Sequence, residues 1–97
     1  MSDFIFFEKD PRHVAKEKAK ARELRQSQWW KQQLSRGCCH YCQKKISNPE
    51  DLTMDHMVPL SRGGRSIKGN VVVSCKSCNS SKKYLTPVEI LFEGKRL

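Results

Sequence analysis

Two Cys-x-x-Cys pairs, Cys39/Cys42 and Cys75/Cys78, a β-branched run at Val71-Val72-Val73 leading into the second pair, and a long stretch of helix formers ahead of the first predict a small α+β fold. From the first pair onward the order reads strand, loop, strand, helix, which is a ββα unit gathered around a metal ion. With 97 residues, one compact unit is the default. The sequence divides into a basic helical extension, residues 1–36, and a metal-centred domain, residues 37–97. A domain of roughly 60 residues is near the size at which an apolar core alone is marginal and a metal cross-link helps.

The elements follow in order. Phe4-Ile5-Phe6-Phe7 is an apolar cluster that reads equally as an edge strand or as a plug on the metal unit. Asp10-Pro11 reads as a helix cap followed by the first helical residue. Residues 11–35 are rich in Ala, Lys, Glu, Gln, Leu and Arg and predict one helix, stopped at Ser35-Arg36-Gly37. Its apolar stripe is poor: Val14, Ala21 and Leu24 fall on one side, and Ala19, Trp30 and Leu34 on another. That pattern predicts a solvated or partner-facing first half and an end anchored by Trp29, Trp30 and Leu34. His13 has no evident partner and reads as surface. Ser47-Asn48-Pro49-Glu50 is a turn, and Leu52–Asp55 a short strand. Pro59 to Gly69 is a loop carrying Arg62, Arg65 and Lys68, and Val71–Val73 is the second strand. A helix then runs from Cys75 to about Tyr84. Thr86-Pro87-Val88-Glu89 is a capping box that opens a last short helix.

Disulfides compete with metal for the cysteines. No apolar run has signal-peptide or membrane length, so the expected compartment is the reducing cytoplasm, where paired Cys-x-x-Cys motifs favour structural Zn²⁺. Five cysteines leave one over. Cys39 gives the two-residue spacing that lets a tight turn present both sulfurs, so Cys38 is the spectator, and His40 a spacer.

The chain carries 19 Lys and Arg against 10 Asp and Glu, a net charge of +9. Residues 1–36 hold nine basic and five acidic groups, and residues 37–97 hold ten and five, so the excess is spread over both parts. A short chain this basic points to a polyanionic partner, nucleic acid above all. An Asp55-His56 dipeptide lies between the cysteine pairs. Phosphodiester hydrolysis needs an activated water, positive charge at the phosphate and help for the leaving oxygen. A histidine titrating near neutrality can take the proton of the water, and a divalent cation can supply the charge.

Asp55-His56-Met57-Val58-Pro59-Leu60-Ser61-Arg62-Gly63-Gly64, then Asn70-Val71-Val72-Val73-Ser74-Cys75-Lys76-Ser77-Cys78-Asn79, then Lys82 and Thr86-Pro87, resembles the HNH endonuclease family. The nearest part of that family is the four-cysteine zinc subgroup of phage and restriction nucleases. The resemblance spans residues 37 to about 90 and implies a ββα-metal (His-Me finger) fold with a structural zinc site of four cysteines. It implies that His56 is the general base, and that Asn70 supports it by hydrogen-bonding backbone of the preceding loop. It also makes Asp55 and Asn79 ligands of the catalytic ion. Asn79 stands where the family often has His. An amide oxygen is neutral and hard, which suits Mg²⁺ or Mn²⁺ better than Zn²⁺ or Ni²⁺.

The implied partner is DNA, met at its backbone, with Arg62, Arg65, Lys68, Lys82 and Lys83 as phosphate contacts. The implied location is the cytoplasm of a bacterium or of a phage host, with no membrane association. One ββα unit attacks one strand, so a monomer nicks; whether the protein is monomer or dimer stays open. The alternative is a zinc-stabilised nucleic-acid-binding module without catalysis. It needs neither Asp55 nor His56.

Overall fold

A computed structural model describes residues 10–92, so the Phe4–Phe7 cluster lies outside the described residues. Helix α1 spans Pro11–Arg25, α2 Gln28–Ser35, strand β1 Leu52–His56, β2 Val71–Cys75, α3 Lys76–Lys82 and α4 Pro87–Phe92. Short 3₁₀ turns lie at Pro49–Asp51 and Leu60–Arg62. The architecture is α+β: an antiparallel strand pair, helices packed on it and a four-cysteine cluster, consistent with the ββα-metal fold.

The Asp10 carboxylate accepts the Arg12 N–H at 3.0 Å and caps α1, with Pro11 following. The single helix expected over residues 11–35 is two. Ser27 divides it: its hydroxyl donates to the Leu24 carbonyl at 2.6 Å and accepts the Trp30 N–H at 3.2 Å. One side chain thus closes α1 and opens α2, a competition with the helix ladder to which serine is prone. The first half of this region is not solvated either. Val14, Glu17 and Ala21 are buried. Helix α1 packs on the 3₁₀ turn at Leu60–Arg62, and α2 packs on β2. Gly37 then ends the helical region with φ +62°, in the left-handed region that favours glycine.

Trp30, Leu52, Val71 and Val73 form the apolar core, with Leu24, Trp29, Leu34, Ile46 and Met54 packed around it. A second buried cluster holds Cys39, Cys75 and Cys78, flanked by Tyr41, Cys42 and Ile46. The strand register runs from Leu52 opposite Cys75 to His56 opposite Val71. The two-stranded hairpin therefore carries a cysteine at one end and the histidine at the other. Beyond α3, the capping box forms: the Glu89 carboxylate accepts the Thr86 N–H at 2.9 Å, and Thr86 Oγ1 accepts the Glu89 N–H at 3.3 Å.

Candidate active site and metal centre

The Sγ atoms of Cys39, Cys42, Cys75 and Cys78 all lie within 4.8 Å of one another. Zinc–sulfur bonds of about 2.3 Å in a tetrahedron set sulfurs about 3.8 Å apart. The Cys42–Cys75 separation of 4.0 Å is close to that, and no cysteine among the described residues is paired as a disulfide. The donor set therefore fits Zn²⁺. Burial pushes the Cys39 thiol up, but hydrogen bonds from the Cys42, Cys75 and Tyr41 backbone outweigh it and hold the group down at about 6. Burial and the neighbouring sulfurs push the Cys78 thiol up. The turn over residues 39–43, the knuckle, bends at Gln43, φ +62°, and docks on β2 through the His40 N–H to Val73 carbonyl bond of 2.8 Å. Cys38 stays outside the cluster, its Sγ facing the Gln43 carbonyl at 3.5 Å.

At the other end of the hairpin, Asp55 and His56 close β1. Asp55 is buried, and its Oδ2 accepts a hydrogen bond from the Tyr41 hydroxyl and faces Lys82 Nζ at 3.6 Å. Burial, then the Asp55 carboxylate, push the Tyr41 phenol up, so it remains a donor. Both polar contacts of the Asp55 side chain use Oδ2, which leaves Oδ1 for a cation. Lys82, one of the expected phosphate contacts, is turned inward to this acid. It is only 1 % exposed and donates to the His56 carbonyl at 3.0 Å. Buried beside an acid, its ammonium is engaged within the site by Asp55 and the His56 carbonyl. Burial lowers its basicity while Asp55 opposes that.

His56 Nε2 lies 2.9 Å from Ser66 Oγ. Burial depresses the imidazole below its usual value, with Asp55 and Glu17 opposing, and Arg25 and Lys82 assisting. The shift favours the neutral ring. Asn70 pins the loop behind it. Its Oδ1 accepts the Val58 N–H at 2.9 Å, while its amide donates to the carbonyls of Val58 at 3.1 Å and Arg65 at 2.9 Å. Gly64 passes so close to the Val58 carbonyl that a Cβ there would overlap it.

Asp55, His56 and Asn79 line one cavity of about 300 Å³, together with Lys18, Lys82 and Lys83. The lining thus includes one carboxylate and one side-chain amide, both with hard oxygen atoms. The loop cations are placed differently from one another. Arg62 forms a two-pronged pair with Glu89, 2.8 and 3.2 Å, which holds the Glu89 carboxyl down at about 2. Arg62 is thus committed to α4. Arg65 and Lys68 are exposed, and Lys68 Nζ sits 5.6 Å from the centre of the Trp29 ring. Lys83 is exposed at the end of α3.

Residues 39–84 match the family model described as HNH endonuclease. The matched segment holds both cysteine pairs, Asp55, His56, Asn70 and Asn79. No curated protein matches the chain. HNH proteins are usually nucleases, and the four-cysteine cluster within the matched segment has the make-up of a metal site.

Three residues of this site escaped the sequence reading: Tyr41, Ser66 and Glu17. Glu17 carried a signal. It lies between Val14 and Ala21 on the apolar stripe of α1, three and four residues from each, and is the one acid there in a run of lysines. Its Oε1 accepts the Ser66 N–H at 2.7 Å, and that bond, ahead of burial and Lys20, sets its carboxyl below the usual value. His13, read as surface, donates from Nε2 to the Gly64 carbonyl at 2.7 Å. Among the described residues, no helix is long and apolar enough to cross a membrane.

Proposed function

We propose that the protein is a metal-dependent DNA endonuclease that hydrolyses phosphodiester bonds one strand at a time. The observation that carries this reading is the shared cavity: His56, Asp55, Asn79 and three lysines, Lys18, Lys82 and Lys83, line the same space. A hard divalent cation on Asp55 and Asn79 would supply positive charge to the scissile phosphate. His56 takes a proton from the attacking water as its oxygen bonds to phosphorus; the P–O bond opposite breaks, and the leaving oxygen takes up a proton from solvent. Lys18 and Lys83 draw the polyanion in, while Arg65 and Lys68 extend the basic surface along the loop. Asn70 keeps the loop, and with it the ring of His56, in place.

The alternative, a zinc-stabilised nucleic-acid-binding module, draws on one observation: Lys82 already neutralises Asp55. A cleavage assay separates the two. Supercoiled plasmid with Mg²⁺ or Mn²⁺ is expected to give open circles first, and EDTA to stop the reaction. His56→Ala is expected to slow nicking by about 10²–10⁴-fold while the zinc-bound fold persists. Equal cutting by that variant would remove the mechanism.

A further inference from the structure

Ser66 has one hydroxyl proton, and its position is fixed by what surrounds it. Ser66 Oγ lies 2.6 Å from the backbone carbonyl of Glu17 and 2.9 Å from His56 Nε2. A carbonyl can only accept, so the serine proton goes to Glu17. The serine oxygen must then accept, and the proton between it and the histidine belongs to Nε2. We infer that Ser66, seated on helix α1 by Glu17, holds His56 as its Nε2–H tautomer and so leaves the Nδ1 lone pair to take the proton of the water. This deepens the nuclease reading and rests on it.

The seat is built from both ends of residue 17. The side chain grips the Ser66 N–H and the main chain takes its hydroxyl. Glu17 is 2 % exposed and Ser66 7 %, so water does not compete for either bond. His13 adds a third tether one turn earlier, at Gly64. All three contacts come from a helix outside the segment that matches the family. The serine also serves the charged ring. Once His56 holds the proton from water, Nε2–H still donates and Ser66 still accepts, so no bond is broken as the charge develops. The groups facing His56 are Asp55 on β1, Lys82 on α3, and Arg25 and Glu17 on α1. None of them competes for Nε2, so the tautomer is assigned by Ser66. Ser66 and Glu17 are positioning residues; neither needs to touch DNA.

The test is the nitrogen-15 spectrum of the His56 ring in zinc-loaded protein, read beside nicking rates. With the ring neutral, wild type is expected to show the Nε2–H pattern. Ser66→Ala is expected to mix the tautomers and to lower kcat by about 10–100-fold, with KM for plasmid unchanged. An Nδ1–H pattern in wild type overturns the inference. So does a Ser66→Ala protein with both the tautomer and kcat unchanged. If that variant does not fold, the wild-type spectrum decides alone. If wild type nicks no DNA, the nuclease reading fails, while the spectrum still shows which nitrogen carries the proton.

Discussion

The two ends of the β1–β2 hairpin are built on different terms. At the Cys75 end, four like side chains converge on one point, and their spacing along the chain is enough to say so. At the His56 end, five unlike side chains meet, from α1, the knuckle, β1, the loop and α3, and no short spacing links Glu17, Tyr41, His56, Ser66 and Lys82. A metal-ligand set is local chemistry repeated twice, whereas a hydrogen-bonded site is a product of tertiary packing. The first kind of end holds the fold together; the second only has to be held.

The largest effect should therefore come from the sulfur end. Cys42→Ser or Cys78→Ser removes a zinc ligand, and structural zinc binding energy is folding energy, about 10–16 kcal/mol in small zinc peptides. Calorimetry is expected to show no cooperative transition for either variant, and an unchanged Tm would erase the contrast between the two ends. At the other end, Lys82→Met strips the buried Asp55 carboxylate of its cation. Loss of about 3–5 kcal/mol is expected in urea unfolding, partly restored by Mg²⁺. No recovery with the ion would count against Asp55 as its ligand.

A subtler effect belongs to Glu17. Its carboxyl is held low by the Ser66 N–H, so the stability it lends is present above its ordinary value of 4.5 and fades as pH falls through the folded-state value. Wild type should exceed Glu17→Gln in stability at neutral pH, and the gap should close in acid. A gap independent of pH would mean that the charge has no part in the α1–loop contact. The smallest effect lies on the open face. Arg65→Ala and Lys68→Ala should leave stability intact and each reduce the salt dependence of DNA binding by about one phosphate contact.

The sequence made the strand–loop–strand–helix order and the cysteine cluster legible because each rests on short-range pattern: paired cysteines, a β-branched run, a capping box. It placed Asp55, His56 and Asn79 together through resemblance, and they do line one cavity. It missed the break at Ser27, where a hydroxyl competes with the helix ladder against a run of good helix formers. It read Lys82 as a phosphate contact because charge alone does not show that an acid lies within reach inside. Helix α1 read as weakly amphipathic since the residue completing its buried stripe is Glu17, and an acid does not count toward an apolar face.

Lys82 also bears on life before metal arrives. A hollow lined by an unbalanced carboxylate would resist closing until an ion came to quench it. Here the Lys82 ammonium, 3.6 Å away, already supplies the balancing charge, so the polypeptide can close over this acid with no help from outside.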